Sequence, residues 1–157
     1  MLLLSKKSYF TMIDLNALKK RVYDVVGAIY DVHSVLGPGL NESCYQEGME
    51  LELKEKKIPF VREMTFHPHY RGVPMEATFR VDFICKDDII VECKAVSDVT
   101  GVHRAQLFNY MRITEKYRGL LFNFGEKSLH TERYLYLPEE DDFVLLNQDN
   151  YKSYIDD

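Results

Sequence analysis

The sequence predicts an α/β fold, a three-layer sandwich with a mixed central sheet and elements in the order ααβββαββ. Three observations predict it. Two amphipathic helical patterns open the chain, and β-rich runs separated by turn residues fill its middle. A further helical stretch then precedes Gly119 to Phe124, a run that is nearly all apolar. Such a strand sits centrally with both faces covered, which calls for helices on either side.

Residues 1–13 read as a loose leader, residues 14–137 as one domain and residues 138–157 as an acidic tail. From Asp14, a residue type suited to an N-cap, apolar positions recur at Leu15, Leu18, Val22, Val25, Val26, Ile29, Val32, Val35 and Leu36. Steps of three and four describe a helix, ended by Gly37-Pro38-Gly39. A second helix is expected from about Asn41 to Lys57, with Tyr45, Met49, Leu51 and Leu53 as apolar contacts. Its closing lysines suit the helix dipole, and Ile58-Pro59 breaks it. Phe60 to Tyr70 alternates as a strand, with Arg71-Gly72 as a turn. Thr78 to Ile84 and Ile89 to Val96 form an antiparallel hairpin through Lys86-Asp87-Asp88. A third helix runs from about Val102 to Tyr117, and Ser128 to Leu137 is the final strand.

Composition narrows the classes. With 46% hydrophobic and 29% charged residues the chain is globular, not disordered. No apolar run approaches the roughly 20 residues that span a bilayer, so no membrane partner is expected. The start, Met1 to Lys7, is too short and too soon charged for a secretory signal. Three cysteines without a CxxC argue against a disulfide scaffold and for a reducing, cytoplasmic setting. Of the 20 basic and 25 acidic residues, one and seven fall in residues 138–157. The tail is thus −6 and the body +1, so the net charge of −5 does not forbid a phosphate-rich partner. The tail could compete with such a polyanion for a groove, or pack Phe143, Val144, Leu145 and Leu146 as a last strand.

The chemistry concentrates in the hairpin. If Cys85 pairs with Ile89 across a three-residue loop, Asp82 falls directly opposite Glu92. Glu92 and Lys94, two apart on one strand, then share that face. A loop one residue shorter or longer would separate the acids. Two carboxylates that close repel unless a cation lies between them, and oxygen donors favour Mg²⁺ or Mn²⁺ over zinc. With Lys94 to orient a water, this is a minimal set for hydrolysing a phosphodiester. The alternative is a salt-bridge ladder, although the apolar flanks Val81, Phe83, Val91 and Ala95 place these charges on core-grade strands.

Two further elements join it. Gln106 and Tyr110, four apart, project from one face of the third helix, with His103 close to that face. Gly39-Leu40-Asn41-Glu42 reads either as a capping box with Gly39 as N-cap or as a third acid, Glu42, for the metal. Cys93 faces away from the acids and reads as a core residue. His67 and His69 lack a third ligand nearby and read as an exposed strand.

Gly39-x-x-Glu42-x-x-Tyr45 resembles the signature for which the GxxExxY protein family is named. The resemblance continues through Tyr70-Arg71-Gly72, Asp82, Glu92-x-Lys94, Gln106-Leu107-x-x-Tyr110 and Gly119 to Gly125, covering roughly Leu15 to Arg133. That family is similar to a compact branch of the PD-(D/E)XK nuclease superfamily, and Val81 stands where the superfamily name has proline. The resemblance implies a restriction-endonuclease-like core and a metal-dependent nuclease. It implies that Asp82 and Glu92 bind Mg²⁺ or Mn²⁺, that Glu42 is the helix acid, that Lys94 serves the water, and that Gln106 and Tyr110 support the site. The expected partner is nucleic acid, with DNA preferred, contacted through Arg80, His103, Arg104 and Arg112. A nuclease-fold binding module without turnover and a protein-interaction domain are the competing expectations.

Overall fold

Apolar spacing sets the first helix. In the computed structural model, which describes residues 15–146 and side chains from residue 21 onward, α1 spans Leu15–Leu36. Val25, Ile29 and Val32, four and three apart, lie on its buried side. Gly37 ends it in the left-handed region (φ +65°), its N–H returning to the His33 carbonyl at 2.8 Å. The expected leader, the Asp14 cap and residues 147–157 of the tail lie outside the described residues.

Helix α2 spans Glu42–Glu55. Its N-cap is Asn41, whose side chain accepts the Cys44 N–H, not Gly39 as the capping-box reading has it. Glu42 is therefore the first helical residue and is not needed to satisfy the helix end. Gly39, at φ +104°, instead shapes the preceding turn.

The strands are β1 (Phe60–Phe66), β2 (His69–Tyr70), β3 (Val73–Pro74), β4 (Phe79–Cys85), β5 (Ile89–Lys94), β6 (Arg118–Asn123), β7 (His130–Leu137) and β8 (Asp142–Leu145). Helix α3 (Gly101–Thr114) lies between β5 and β6. Six strands form one sheet in the order β1-β4-β5-β6-β7-β8, while β2 and β3 make a separate ribbon. Only β5 and β6 are parallel, the relationship a helical crossover permits; the other neighbours are antiparallel.

Two expectations change here. The strand expected over residues 60–70 is broken around Pro68, which has no N–H for a ladder, and continues as the ribbon. The sheet also does not end at Leu137. Strand β8 pairs with β7, and Phe143 stacks on Tyr136 and Phe108 at 4.6 and 4.3 Å, so the first part of the acidic segment belongs to the fold.

Alternation along the strands builds two cores. On one face α1 and α2 pack Ile29, Tyr45, Met49 and Leu53 against Phe83, Val91, Cys93 and Phe122. On the other, α3 packs Leu107, Tyr110 and Met111 against Ile84, Ile90, Leu121 and Tyr134. Each fully buried aliphatic or aromatic side chain contributes roughly 1.5–3 kcal/mol. Leu120, Leu121 and Phe122 of β6 are all buried, as expected of a strand covered on both sides.

One level of the sheet breaks this alternation. Strands β1 and β4 pair at Arg62↔Phe83 and again at Met64↔Val81 in unchanged register, but Glu63 and Asp82 between them form no such pair. Glu63 has φ +56°, a costly conformation for a residue with a Cβ. Beyond it the faces exchange: Val81 packs toward α3, as does Ile84 three residues later. The two strands turn over together at the level of Asp82.

Candidate active site

The hairpin adopts the register that its odd loop predicts, Cys85 opposite Ile89, then Ile84 opposite Ile90 and Phe83 opposite Val91. One step further, side chains replace the ladder. The Asp82 N–H donates to Glu92 Oε1 at 3.1 Å, and the Cys93 N–H donates to Asp82 Oδ2 at 2.9 Å. Each carboxylate accepts a backbone N–H from the opposite strand, so the two acids are locked face to face where β4 turns over.

Their electrostatics follow from this position. Glu92 is only 2% exposed. Burial pushes its carboxyl well above the usual range, and the Asp82 charge pushes it further. Burial also raises Asp82, opposed by the Cys93 N–H and the Lys94 ammonium. Half-buried Glu42 is raised by burial, with Lys94 opposing and Asp82 adding to the shift. Three acids disfavoured as anions share one nearby lysine.

Four elements bring the groups together. Glu42 enters from the first residue of α2, Asp82 from β4, Glu92 and Lys94 from β5, and Gln106 and Tyr110 from α3. Lys94 Nζ donates to Gln106 Oε1 at 2.8 Å. The Tyr110 ring stacks on Phe79 at 4.8 Å, and burial followed by the Glu92 charge raises its hydroxyl. The loop before α2 is held by Tyr45, whose hydroxyl donates to the Gly37 carbonyl and accepts the Leu40 N–H. The Tyr45 ring in turn stacks on Phe124 at 4.6 Å, and the Phe124 N–H donates to the Lys94 carbonyl at 2.8 Å. The glycine, acid and tyrosine of the Gly39-Glu42-Tyr45 spacing thus divide into a turn, a site residue and an anchor.

The chain leaving β5 is equally fixed. Buried Asn123 accepts the Val96 N–H at 3.0 Å and donates to the Val96 carbonyl at 2.8 Å, standing in for a strand backbone. Gly125 lies so close that a Cβ there would meet the Val96 oxygen at 2.3 Å.

One residue of the site escaped sequence reasoning. Gln46 Nε2 donates to both Glu42 Oε1 and Asp82 Oδ1, each at 3.2 Å. Its position four residues after Glu42, on the same helical face, was the available signal.

The four basic residues expected at phosphates are not gathered at the carboxylates. Arg104 makes a two-bond pair with Glu132 at 2.7 and 2.9 Å. Burial would raise Glu132, but Arg104, Tyr134 and His130 outweigh it and bring the carboxyl down to about 2. Arg112 pairs with Asp141 at 2.9 Å. His103 Nδ1 accepts the Thr100 N–H as part of the α3 cap. Arg80 is exposed, 3.9 Å from Glu63. Cys93 is buried on the α1–α2 face with its thiol pushed well up by burial, which keeps it neutral.

Among the described residues, no group of three or more His, Cys, Asp or Glu side chains is arranged to hold a metal ion. The donors present are the paired Asp82 and Glu92 carboxylates, with Glu42 linked through Gln46. Two carboxylate ligands with the remaining positions left to water suit magnesium, and an all-oxygen set does not suit zinc. The residues therefore fit a hard divalent cation. No helix among the described residues is long and apolar enough to cross a membrane.

A family model described as the PD-(D/E)XK nuclease superfamily matches residues 19–134, most of the chain. The searches of curated proteins and of solved structures returned no match.

Proposed function

Because the chain belongs to the PD-(D/E)XK nuclease superfamily, we propose that its carboxylate cluster hydrolyses phosphodiester bonds of nucleic acid, DNA first, with Mg²⁺ or Mn²⁺. The observation that carries the reading is the cross-strand lock in which Glu92 accepts the Asp82 N–H and Asp82 accepts the Cys93 N–H, with Lys94 two residues beyond Glu92 on β5. A salt-bridge ladder would have put Lys94 on an acid, whereas its ammonium bonds the neutral Gln106. The same reading assigns the chain to the GxxExxY branch and to a cytoplasmic setting.

A bound divalent cation would supply charge stabilisation at the phosphate and acidify a water. Asp82 and Glu92 would hold it, with Glu42 reaching it through water. Lys94, steered by Gln106, holds the attacking water by hydrogen bonding and compensates the charge that grows during attack. Tyr110, its hydroxyl raised by burial and set beside Gln106, lines the same wall. Phosphate contacts fall first to Arg80 and His103, since Arg104 and Arg112 are held by Glu132 and Asp141.

The experiment is a panel of labelled single- and double-stranded DNA and RNA, incubated with Mg²⁺, Mn²⁺ or chelator. Cleavage that needs the cation and disappears in Asp82→Asn is the expected result. Binding without any cation-dependent cleavage across the panel would leave a binding module and overturn the hydrolytic reading.

A further inference from the structure

The ribbon β2–β3 has no work in the fold comparable to its exposure. The Met75 N–H donates to the Pro68 carbonyl at 2.8 Å, and His67 Nδ1 lies 2.9 Å from the Met75 carbonyl. Strands β1 and β4 end their pairing at Phe66↔Phe79, and the ribbon resumes at His69↔Pro74. Residues 67–68 on one side therefore face residues 75–78 on the other, and such an excess bends a hairpin away from its sheet. Arg71 and Gly72 close the tip with φ of +49° and +79°, a tight hairpin turn. At and around this tip Tyr70 is 64% exposed, Val73 65% and Met75 42%. Two residue pairs bury too little to justify presenting three large side chains to water.

Chemistry and position narrow the partner. From His67 to Met75 the chain carries Arg71 and two histidines and no acid; Glu76 stands at the base. The Arg71 guanidinium lies 5.5 Å over the Tyr70 ring. An aromatic ring and a planar cation side by side are the groups on which unpaired bases stack and phosphates pair. Strand β4 leads from the ribbon to the site through Phe79, exposed Arg80, Val81 and Asp82. At about 3.3 Å per residue, Phe79 at the start of β4 lies roughly 10 Å from the Asp82 level, and the ribbon begins beyond it. Tyr110 of the site stacks on Phe79 at the ribbon's base.

We propose that the β2–β3 ribbon is a stacking platform for an unpaired nucleic-acid strand leaving the carboxylate site, with Tyr70 against a base and Arg71 against phosphate. The inference rests on the nucleic-acid reading of the site and adds the strand state of the substrate. Bases paired in a duplex keep their faces covered by neighbours, so the platform favours single strands over duplexes.

The chain contains no tryptophan, so Tyr70→Trp places one fluorescent reporter at the tip. The full-length variant is titrated in chelator with oligothymidylate of about 15 nucleotides and with a duplex of equal length. Saturable quenching by the single strand, weakened at higher salt and about tenfold weaker after Arg71→Ala, is expected. In the parent background, Tyr70→Ala should weaken oligothymidylate binding by a similar factor at an unchanged melting temperature. A folded Tyr70→Trp protein that single strands do not quench overturns the platform. Quenching by the duplex alone overturns the strand preference, and quenching on raising protein concentration without nucleic acid makes the ribbon a protein contact instead. Because these titrations need no turnover, loss of cleavage with quenching intact fails the hydrolytic reading alone. Cleavage with no quenching fails the platform alone.

Discussion

Lys94 on β5 donates its ammonium to Gln106 on α3 across 2.8 Å, so the charge nearest the paired acids is aimed by a neutral amide of the next element. An ammonium beside a cation site is electrostatically unfavourable unless it serves a negative group that appears during reaction. Lys94→Ala should keep the fold and bind Mn²⁺ as well as the parent or slightly better, while cleavage falls by at least about 100-fold. Calorimetric titration with Mn²⁺ and a cleavage assay on one sample check it. A variant that lost stability with its Mn²⁺ affinity unmoved, from a parent that never cleaved, would return Lys94 to the role of counter-ion.

Gln46 should tune the acids it bridges. Gln46→Glu puts a further carboxylate beside Glu42 and Asp82, so the metal-free protein should lose stability and Mn²⁺ affinity should rise. Removing two part-buried hydrogen bonds in Gln46→Ala should cost about 1–2 kcal/mol in the metal-free protein. Thermal melts in chelator and Mn²⁺ titrations of both variants measure these effects. Equal affinity in all three proteins would show that Gln46 lies outside the cation's reach.

The raised carboxyls predict an alkaline weakness. Glu92 and Asp82 hold protons more tightly when folded than when unfolded. Their contribution is complete below the unfolded carboxylate range and is lost as pH rises through it toward the folded values. As pH rises above the ordinary carboxylate range, the metal-free parent should therefore lose stability relative to Glu92→Gln, which cannot ionise. Magnesium should narrow the gap most at higher pH, by mass action on the ionised pair. Parallel pH-dependent melts of the two proteins, with and without Mg²⁺, provide the comparison. Glu132 has the opposite sign: its contribution is lost as pH falls toward about 2.

Removing residues 138–157 should damage the fold. The truncation deletes β8 and with it Phe143, which lies against Phe108 and Tyr136 and beneath the Arg112 guanidinium. Losing this half-buried aromatic and its strand should cost about 1–3 kcal/mol. Ending the chain after Leu146 should preserve stability and still remove the acids of residues 147–157. Melting temperatures of the two truncations decide between a strand and a detachable tail. A short form as stable as the parent would restore the boundary at residue 137.

The parts of the fold that obey simple periods were readable in advance. Three residues between Cys85 and Ile89 fixed which acids could meet, and a four-residue step put Gln106 and Tyr110 on one face. What escaped depends on departures from those periods. The turn-over at Glu63 and Asp82 needs a left-handed residue that carries a Cβ, a conformation no composition rule assigns to glutamate. Pro68 divides a stretch whose alternation looks continuous. For β8, the apolar run Phe143 to Leu146 offers a last strand, but Asp142 and its acidic neighbours leave a detached tail as the competing reading. Arg104 and Arg112 looked available because their partners, Glu132 and Asp141, are more than twenty residues away in sequence.

That Glu92 accepts the Asp82 N–H while Asp82 accepts the Cys93 N–H has an evolutionary consequence. Each acid closes the hairpin as well as facing the site, so selection for a well-formed sheet resists their loss even in a lineage whose substrate has disappeared. Lys94 carries no comparable duty to the backbone, and its partner Gln106 can hydrogen-bond many other residues. On the proposed hydrolytic reading, loss of activity among descendants of this chain should therefore be written first at position 94, with the acid pair surviving as a fossil of it.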